Sequence, residues 1–300
     1  MNPVADAADL LDALKPFRPR IRFDELLARY TSMYVGGRAR FLAAPRDVAQ
    51  LREMLRIFHT HGVPVRALGG GSNLLIRDEP IEDAVIRFHD LRQLHIEEPR
   101  VTVGAGFPLS SLISRVSELG LAGMETLVGI PGTVGGAVCM NAGGKYGSIG
   151  PIVESVLVFH PDGSSEVRGR DRLEFAYRKS NLGDGFIAEV VLTLSAGDPD
   201  ALLARAREIL REKKATQPLT SKSVGCIFKN PPGNSAGRLI EQSGLKGVRV
   251  GDAVISTMHG NFFVNSGHAT AADMLALIEK ARAVVKERTG VDLELEVRMW

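Results

Sequence analysis

The sequence predicts an α+β protein, with two small α/β subdomains followed by a C-terminal α/β domain. Its 300 residues exceed what one hydrophobic core usually organises. From Thr31 onward, short β-type runs alternate with amphipathic helical runs, the pattern of sheets covered by helices. Glycine and proline breaks punctuate the chain between these runs, and Gln217-Pro218 marks where the last domain begins to stand apart. Apolar content of 44% with 24% charge is that of an ordinary globular chain.

Residues 1–20 read as a peripheral segment, a short helix and a lead-in marked by Pro16-Phe17-Arg18-Pro19. The first subdomain, 21–80, takes a strand at 40–43, a helix at 47–60 and a strand at 63–68. That helix sets Val48, Leu51, Leu55 and Phe58 on one stripe, so it packs against a sheet. The second subdomain, 81–197, opens with short strands at 84–86 and 101–103 and continues with a helix at 108–119. Strands at 156–159 and 165–167 flank Pro161-Asp162-Gly163, a hairpin turn, and 186–194 is a buried strand. The C-terminal domain, 198–300, begins with an amphipathic helix started by Asp198-Pro199-Asp200 and stopped by Gln217-Pro218. It continues with 225–228, a helix at 236–242, a strand at 261–265, a helix at 271–288 and a last strand at 293–300.

Charge and cysteine usage exclude several classes of function. With 37 basic and 35 acidic residues the net charge is +2, which leaves no electrostatic footprint for nucleic acid. The two cysteines, Cys139 and Cys226, have neither disulfide nor metal-ligand spacing, so no metal is expected and a reducing cytosol is the simplest compartment. The N-terminus lacks a basic region followed by an apolar one, and the longest charge-free stretch, 127–142, is broken by Pro131 and glycines. A cytoplasmic protein without membrane partner follows, with a monomer favoured.

The candidate chemistry lies in five places. Gly69-Gly70-Gly71-Ser72-Asn73, entering Leu74, exposes consecutive N–H groups with two side-chain donors, which suits a pyrophosphate; a tight turn between strands would be built the same way. It is not a P-loop, because no Gly-Lys-Ser/Thr follows. Gly104-Ala105-Gly106 resembles the start of a dinucleotide fingerprint but has Leu109 where the third glycine belongs. The second loop, from Ile130-Pro131-Gly132-Thr133-Val134-Gly135-Gly136-Ala137 to Asn141-Ala142-Gly143, is a bare, charge-free surface suited to a flat aromatic cofactor. Tyr177-Arg178 offers a guanidinium fork for a carboxylate, or a solvated basic residue. Cys226, followed by Lys229 and Asn230, is a proton donor if it lines a site, since an unperturbed thiol is protonated at neutral pH; the alternative is a buried structural thiol. The alternation at 293–300 sets Glu294, Glu296 and Arg298 on one strand face, either solvated surface or the wall of a site.

Together these segments resemble the UDP-N-acetylmuramate dehydrogenase family, also called UDP-N-acetylenolpyruvoylglucosamine reductases. The likeness covers nearly the whole chain from about Thr31. It rests on Gly70-Gly71-Ser72-Asn73, on the second loop, on Tyr177-Arg178, and on Gly225-Cys226-Ile227-Phe228-Lys229-Asn230-Pro231. Ala236-Gly237-Arg238-Leu239-Ile240, Gly244-Leu245-Lys246-Gly247 and Glu296-Val297-Arg298 extend it. The resemblance implies an FAD-binding region of the vanillyl-alcohol-oxidase type with non-covalent FAD, NADPH as co-substrate and a nucleotide-sugar substrate. It implies catalytic roles for Arg178, Cys226 and Glu296, flavin contact for the two loops and Arg298, and substrate contact for Tyr177, Lys229, Asn230 and His259. The chain resembles the compact subclass, with no tyrosine between Arg178 and Cys226, and Gln217 stands near a lysine of the larger form, leaving Lys229 and Lys222 for the diphosphate. An FAD-dependent oxidase of sugars or hydroxy acids is the alternative within the same fold.

Overall fold

The computed structural model describes residues 3–183 and 185–300, so the first two residues of the N-terminal segment lie outside the described residues. The chain forms two compact units. Unit 1 comprises the residues up to Glu25 with Ala39–Gly70 and Ile81–Ile209; unit 2 comprises Leu26–Arg38, Gly71–Pro80 and Leu210–Trp300. Two stretches that the linear reading assigns to the first subdomain, Leu26–Arg38 and Gly71–Pro80, therefore group with the C-terminal part.

In unit 1, α1 (Pro3–Ala13) is followed by β1 (Ile21–Leu26) and β2 (Arg38–Ala43). The N-terminal segment is anchored rather than peripheral: Leu10 and Leu14 are 3% and 1% exposed and belong to the unit's core. Next come α2 (Val48–Thr60) and β3 (Val65–Leu68). Asp47 caps α2 by accepting the Gln50 N–H at 2.8 Å, and that bond holds its carboxyl below the usual range. Helical spacing buries Leu51, Met54, Leu55 and Phe58, with Phe58 against the Phe41 ring of β2 at 5.8 Å.

The chain then contributes β4 (Leu74–Leu75) to unit 2 and resumes in unit 1 as β5 (Ile81–Arg87), which runs parallel to both β2 and β3 in the order β1-β2-β5-β3. The sequence reading opens the second subdomain with this strand. It is instead central to the first sheet, because parallel strands pair only across crossovers and adjacency in sequence does not choose the partner.

The second sheet is antiparallel. It uses β6 (Leu94–Glu97) and β7 (Arg100–Gly104), and after α3 (Leu109–Glu118), β8 (Leu121–Ala122) and α4 (Val134–Cys139) comes the small hairpin of β9 (Gly143–Gly144) and β10 (Gly147–Ser148). The predicted hairpin follows as β11 (Val153–Phe159) and β12 (Ser165–Gly169). A two-residue hairpin joins β13 (Phe175–Ala176) to β14 (Lys179–Ser180), and β15 (Phe186–Thr193) is the buried central strand in the order β12-β11-β15-β7-β6. Short β16 (Ser195–Ala196) pairs with β8, and α5 (Pro199–Thr216) carries the chain into unit 2.

Unit 2 contains α6 (Ala236–Gln242), the antiparallel sheet of β17 (Arg249–Val250), β18 (Ala253–Ile255) and β19 (Phe263–Asn265), α7 (Ala271–Thr289) and β20 (Arg298–Met299), which pairs in parallel with β4. α7 forms because Thr270 and Asp273 make a reciprocal capping box, and it ends at Gly290, whose left-handed φ of 73° only glycine adopts cheaply. Its buried face is Ala271, Met274, Leu277, Ile278, Ala281 and Val285, and burying each large side chain stabilises by about 1.5–3 kcal/mol. The Asp78 carboxylate, from the returning stretch after β4, also accepts the Ala271 and Ala272 N–H groups at 3.1 Å each. Those two bonds, with Met33, Val35 and Leu75 in the second core, explain why those stretches belong to this unit.

The last eight residues correct one expectation. Strict alternation predicts a single strand, yet only Arg298–Met299 is one. Lys229 N–H donates to Glu294 O at 2.8 Å, and Leu295 bridges Phe228. Then Glu296 and Val297 both donate to Ile227 O, at 2.8 and 3.4 Å, before Arg298 N–H turns to Asn73 O at 3.0 Å. Two successive N–H groups on one carbonyl insert an extra residue, as in a bulge, and redirect the chain to a new partner. Burial no longer alternates strictly: Leu293 and Val297 are inside and Glu294 and Arg298 exposed, but Leu295 and Glu296 are both half-buried.

Candidate active site

The first glycine loop is divided between the units, with Gly69 and Gly70 in unit 1 and 71–74 in unit 2. In unit 1, Gly69 and Gly70 lie directly on the second loop: a Cβ on Gly69 would stand 2.7 Å from Thr133 Oγ1, and one on Gly70 would stand 2.8 Å from Gly132 Cα. The two glycine-rich segments therefore form one cradle of bare main chain. Thr133 caps α4, accepting the Gly136 N–H, while Gly135 N–H donates to Ala105 O at 2.9 Å and Val134 N–H to Phe107 O at 3.0 Å. The Gly104-Ala105-Gly106 stretch is thus a support for the second loop. Since the N–H groups of 134–136 are spent internally, the loop offers surface rather than donors here: Gly136 is exposed, while Gly135 is buried, a Cβ on it falling 2.7 Å from Ala105 Cβ. Ile130 is partly buried, and Ala137 and Ala142 are buried, beneath that surface.

Asn141 has φ of 43°, donates Nδ2 to Ala176 O at 2.9 Å and accepts Gly150 N–H at 3.0 Å. It is a brace that holds the turn into Gly143. Arg178 occupies the second position of the β13–β14 turn with φ of 56°, a left-handed conformation that costs an ordinary residue about 1–2 kcal/mol. Its Nη1 donates to Gly143 O at 2.7 Å and its guanidinium lies 5.2 Å from the centroid of the exposed Tyr177 ring. A strained cation pinned to the end of the glycine loop is the kind of outlier that accumulates at functional positions.

Unit 2 carries the remaining residues. Gly71, with φ of 61°, approaches Tyr30 O so closely that a Cβ would fall 2.0 Å from it, and Gly71 O accepts the Ser32 N–H at 3.0 Å. Ser72, half-buried, leads to Asn73, whose Nδ2 donates to Glu296 O at 3.2 Å. Leu74 pairs with Arg298 across β4 and β20. Cys226, half-buried, bridges Phe262, and the next residue, Ile227, accepts the Glu296 N–H. The Cys226 bridge and the Ile227 carbonyl that holds the Glu296 N–H are thus adjacent in sequence, and Asn73 holds the Glu296 carbonyl from the other side.

Lys229 forms an ion pair with Glu294. Asn230 Oδ1 accepts the Ala236 N–H at 3.1 Å, fixing the turn before α6. His259 accepts the Asn261 N–H at Nδ1, 3.2 Å away; because a main-chain amide can only donate, the neutral ring carries its proton on Nε2. Burial, reinforced by the Lys246 charge, holds the ring below the usual histidine range, so the neutral form prevails at neutral pH. Sequence reading missed Asn261, which is 1% exposed and hydrogen-bonded to both polar groups of the Phe228 main chain. The signal was an amide opening the apolar run Phe262-Phe263-Val264.

FAD fits what the chain presents: Gly69 and Gly70 pack main chain to main chain on Gly132 and Thr133, and the exposed Gly136 and Gly144 leave bare main chain that a flat ring or a pyrophosphate can approach. Among the described residues no group of three His, Cys, Asp or Glu side chains is placed to hold a metal ion, and no helix is long and apolar enough to cross a membrane.

Residues 39–167 match a family model described as an FAD binding domain, and residues 217–300 match one described as the C-terminal domain of UDP-N-acetylenolpyruvoylglucosamine reductase. The UDP-N-acetylenolpyruvoylglucosamine reductase 2 of Symbiobacterium thermophilum is 43% identical over 284 residues, covering 94% of this chain and 92% of the relative. The crystal structure of UDP-N-acetylenolpyruvylglucosamine reductase from Thermus caldophilus has a TM-score of 0.82 at 42% identity, covering 93% of this chain and 99% of that one. Wild-type Phl p 4.0202, a glucose dehydrogenase, has a TM-score of 0.52 at 16% identity over 64% of this chain and 44% of its own, which is a likeness of fold alone. The architecture is the FAD-binding fold of the vanillyl-alcohol-oxidase type joined to a second α/β domain.

Proposed function

The chain belongs to the UDP-N-acetylenolpyruvoylglucosamine reductase family, FAD flavoenzymes with NADPH as reductant, and on that premise we propose which of its residues carry the reaction. The reaction reduces UDP-N-acetylglucosamine enolpyruvate to UDP-N-acetylmuramate, a precursor of peptidoglycan. FAD, when bound, supplies the relay that takes hydride from NADPH and delivers it to the terminal carbon of the enolpyruvyl double bond.

Gly69, Gly70, Ile130, Thr133, Gly135, Gly136, Ala137, Asn141, Ala142 and Gly143 form one part of the cofactor surface, and Gly71, Ser72, Asn73, Leu74 and Arg298 form another. Arg178 binds the enolpyruvyl carboxylate and stabilises the negative charge that develops toward the adjoining carbon. Cys226 Sγ donates its proton to that carbon, completing the lactyl ether, and is reprotonated from solvent. Glu296, in its protonated or hydrogen-bonding state, assists Arg178. His259 presents Nε2–H to the nucleotide sugar, with Asn230 and Tyr177, and Lys229 exchanges its Glu294 partner for the diphosphate. The enzyme works as a cytoplasmic monomer; the large apolar side chains exposed among the described residues, such as Leu11, Leu119 and Val167, are single residues separated in sequence.

The observation that supports these roles most directly is that Cys226, bridged to Phe262, directly precedes Ile227, the residue whose carbonyl holds the Glu296 N–H. The strained Arg178 is the second. An oxidase reading has only the likeness of fold to support it. An anaerobic titration tests the assignment: NADPH bleaches the flavin and the enolpyruvyl substrate restores its colour. In Cys226→Ala, bleaching proceeds as in the parent and recovery slows by about 10²–10⁴-fold. Recovery at the parent rate would remove Cys226 from the proton-donor role.

A further inference from the structure

The geometry points to Asn261 as a positioning residue for the proton-transfer step, acting on Cys226 and Glu296 through the main chain of Ile227-Phe228. This inference rests on the roles proposed above for Cys226 and Glu296. The segment from Cys226 to Lys229 has a partner on each side but is not a regular strand. On one side lie Glu294, Leu295, Glu296 and Val297. On the other, the main chain supplies the Cys226–Phe262 bridge, with its Ile227 N–H to Asn261 O bond of 3.0 Å. The Asn261 side chain completes that side. Its Oδ1 accepts the Phe228 N–H at 2.9 Å and its Nδ2 donates to Phe228 O at 2.7 Å, so a carboxamide stands in for the peptide a neighbouring strand would provide.

No other side chain of similar size has both donor and acceptor at that reach. A carboxylate keeps the acceptor and loses the donor, and alanine loses both. Asn261 is 1% exposed, so water does not take over either bond. The same residue also directs its main-chain N–H at His259 Nδ1, which fixes the tautomer of a proposed substrate contact. The amide thus sets where the Cys226 anchor sits relative to the Ile227 carbonyl that holds Glu296.

The test uses the FAD-loaded full chain and stopped-flow recording of the two half-reactions in Asn261→Ala, Cys226→Ala and the double variant, with flavin content and melting temperature measured on each. Asn261→Ala is expected to bleach with NADPH within about 2-fold of the parent while recovery with the enolpyruvyl substrate slows about 10- to 100-fold, the cost of a small misplacement of a reacting group. On top of Cys226→Ala the second substitution costs less than it does in the parent, because the part of its effect that runs through Cys226 is already lost and only the part through Glu296 remains. If Asn261→Ala does not accumulate folded, Asn261→Gln, which keeps the carboxamide but moves it by one methylene, carries the same comparison. Recovery at the parent rate, both half-reactions slowing together, or a full additional loss in the double variant would each overturn the inference. A failure of the donor assignment is seen separately, as parent-rate recovery in Cys226→Ala alone.

Discussion

In unit 1 the candidate surface is made by leaving side chains out, whereas in unit 2 it is made by pinning main chain with amide side chains. Gly69 and Gly70 meet Gly132 and Thr133 at distances where any Cβ would collide, and a single strained cation, Arg178, stands at the edge. In unit 2, Asn73, Asn261 and Asn265 tie distant stretches together, Asn265 by donating to Met33 O at 3.0 Å and accepting the Ala269 N–H. The contrast separates tasks. Absent side chains let a large rigid group approach, while pinned main chain holds small reactive groups to within fractions of an ångström.

The largest expected effect breaks the first half of that contrast. Gly70→Ala puts a Cβ 2.8 Å from Gly132 Cα, main chain that cannot swing aside. It should lower stability by about 1–3 kcal/mol and leave the purified protein with less than about a tenth of the parent flavin, read from the visible absorbance per chain. Parent flavin content would mean that the cradle is packing and not a cofactor surface.

A smaller stability effect with a large functional one is expected at Arg178. Arg178→Gly relieves about 1–2 kcal/mol of left-handed strain, against about 0.5–1 kcal/mol of added chain entropy and the lost bond to Gly143 O. These terms nearly cancel, so the melting temperature should move by only a few degrees while reduction of the enolpyruvyl substrate falls by about 10³-fold. A large fall in melting temperature with activity kept would make Arg178 a structural brace.

The smallest effect sharpens the unit 2 side. Burial lowers the folded-state pKa of His259 below its unfolded value near 6.5. Below that value the unfolded chain binds the extra proton first, so this contribution to stability is complete above pH 6.5 and is lost as pH falls toward the folded pKa. Because the ring is only half-buried, the loss stays below the ceiling of about 1.4 kcal/mol per pH unit. Urea denaturation of the parent and of His259→Gln at pH 7.5 and pH 5 measures it as a difference; identical pH dependence in the two would show that the imidazole is not held neutral by the fold.

How much of this was legible follows from the same contrast. Glycine is informative in sequence because its missing Cβ has few uses, so the 129–136 loop and the 69–73 loop announced a close approach. The helices 47–60 and 236–242 were legible from period and caps within a few residues. Asn261 was not, since one amide at the start of an apolar strand is compatible with a cap, a turn or a solvated edge. Nor was the role of Asp78, whose partners lie 193 and 194 residues away. The final eight residues were half legible: their alternation foretold the burial of Leu293 and Val297 but not the half-burial of Glu296, and a strand period says nothing about which neighbour each N–H will find.

By itself, the sequence determined the local elements, the glycine loops, the candidate residues Arg178, Cys226 and Glu296, and the family they resemble, because each depends on near neighbours in the chain or on motifs of a few residues. Only the tertiary structure decided that β5 completes the first sheet, that 26–38 and 71–80 belong with the C-terminal unit, and that Glu296 is held on the carbonyl of Ile227, the residue after Cys226. Those outcomes turn on long-range pairing of main-chain groups, and every residue but proline carries the same N–H and C=O, so the residue types alone do not encode the partner.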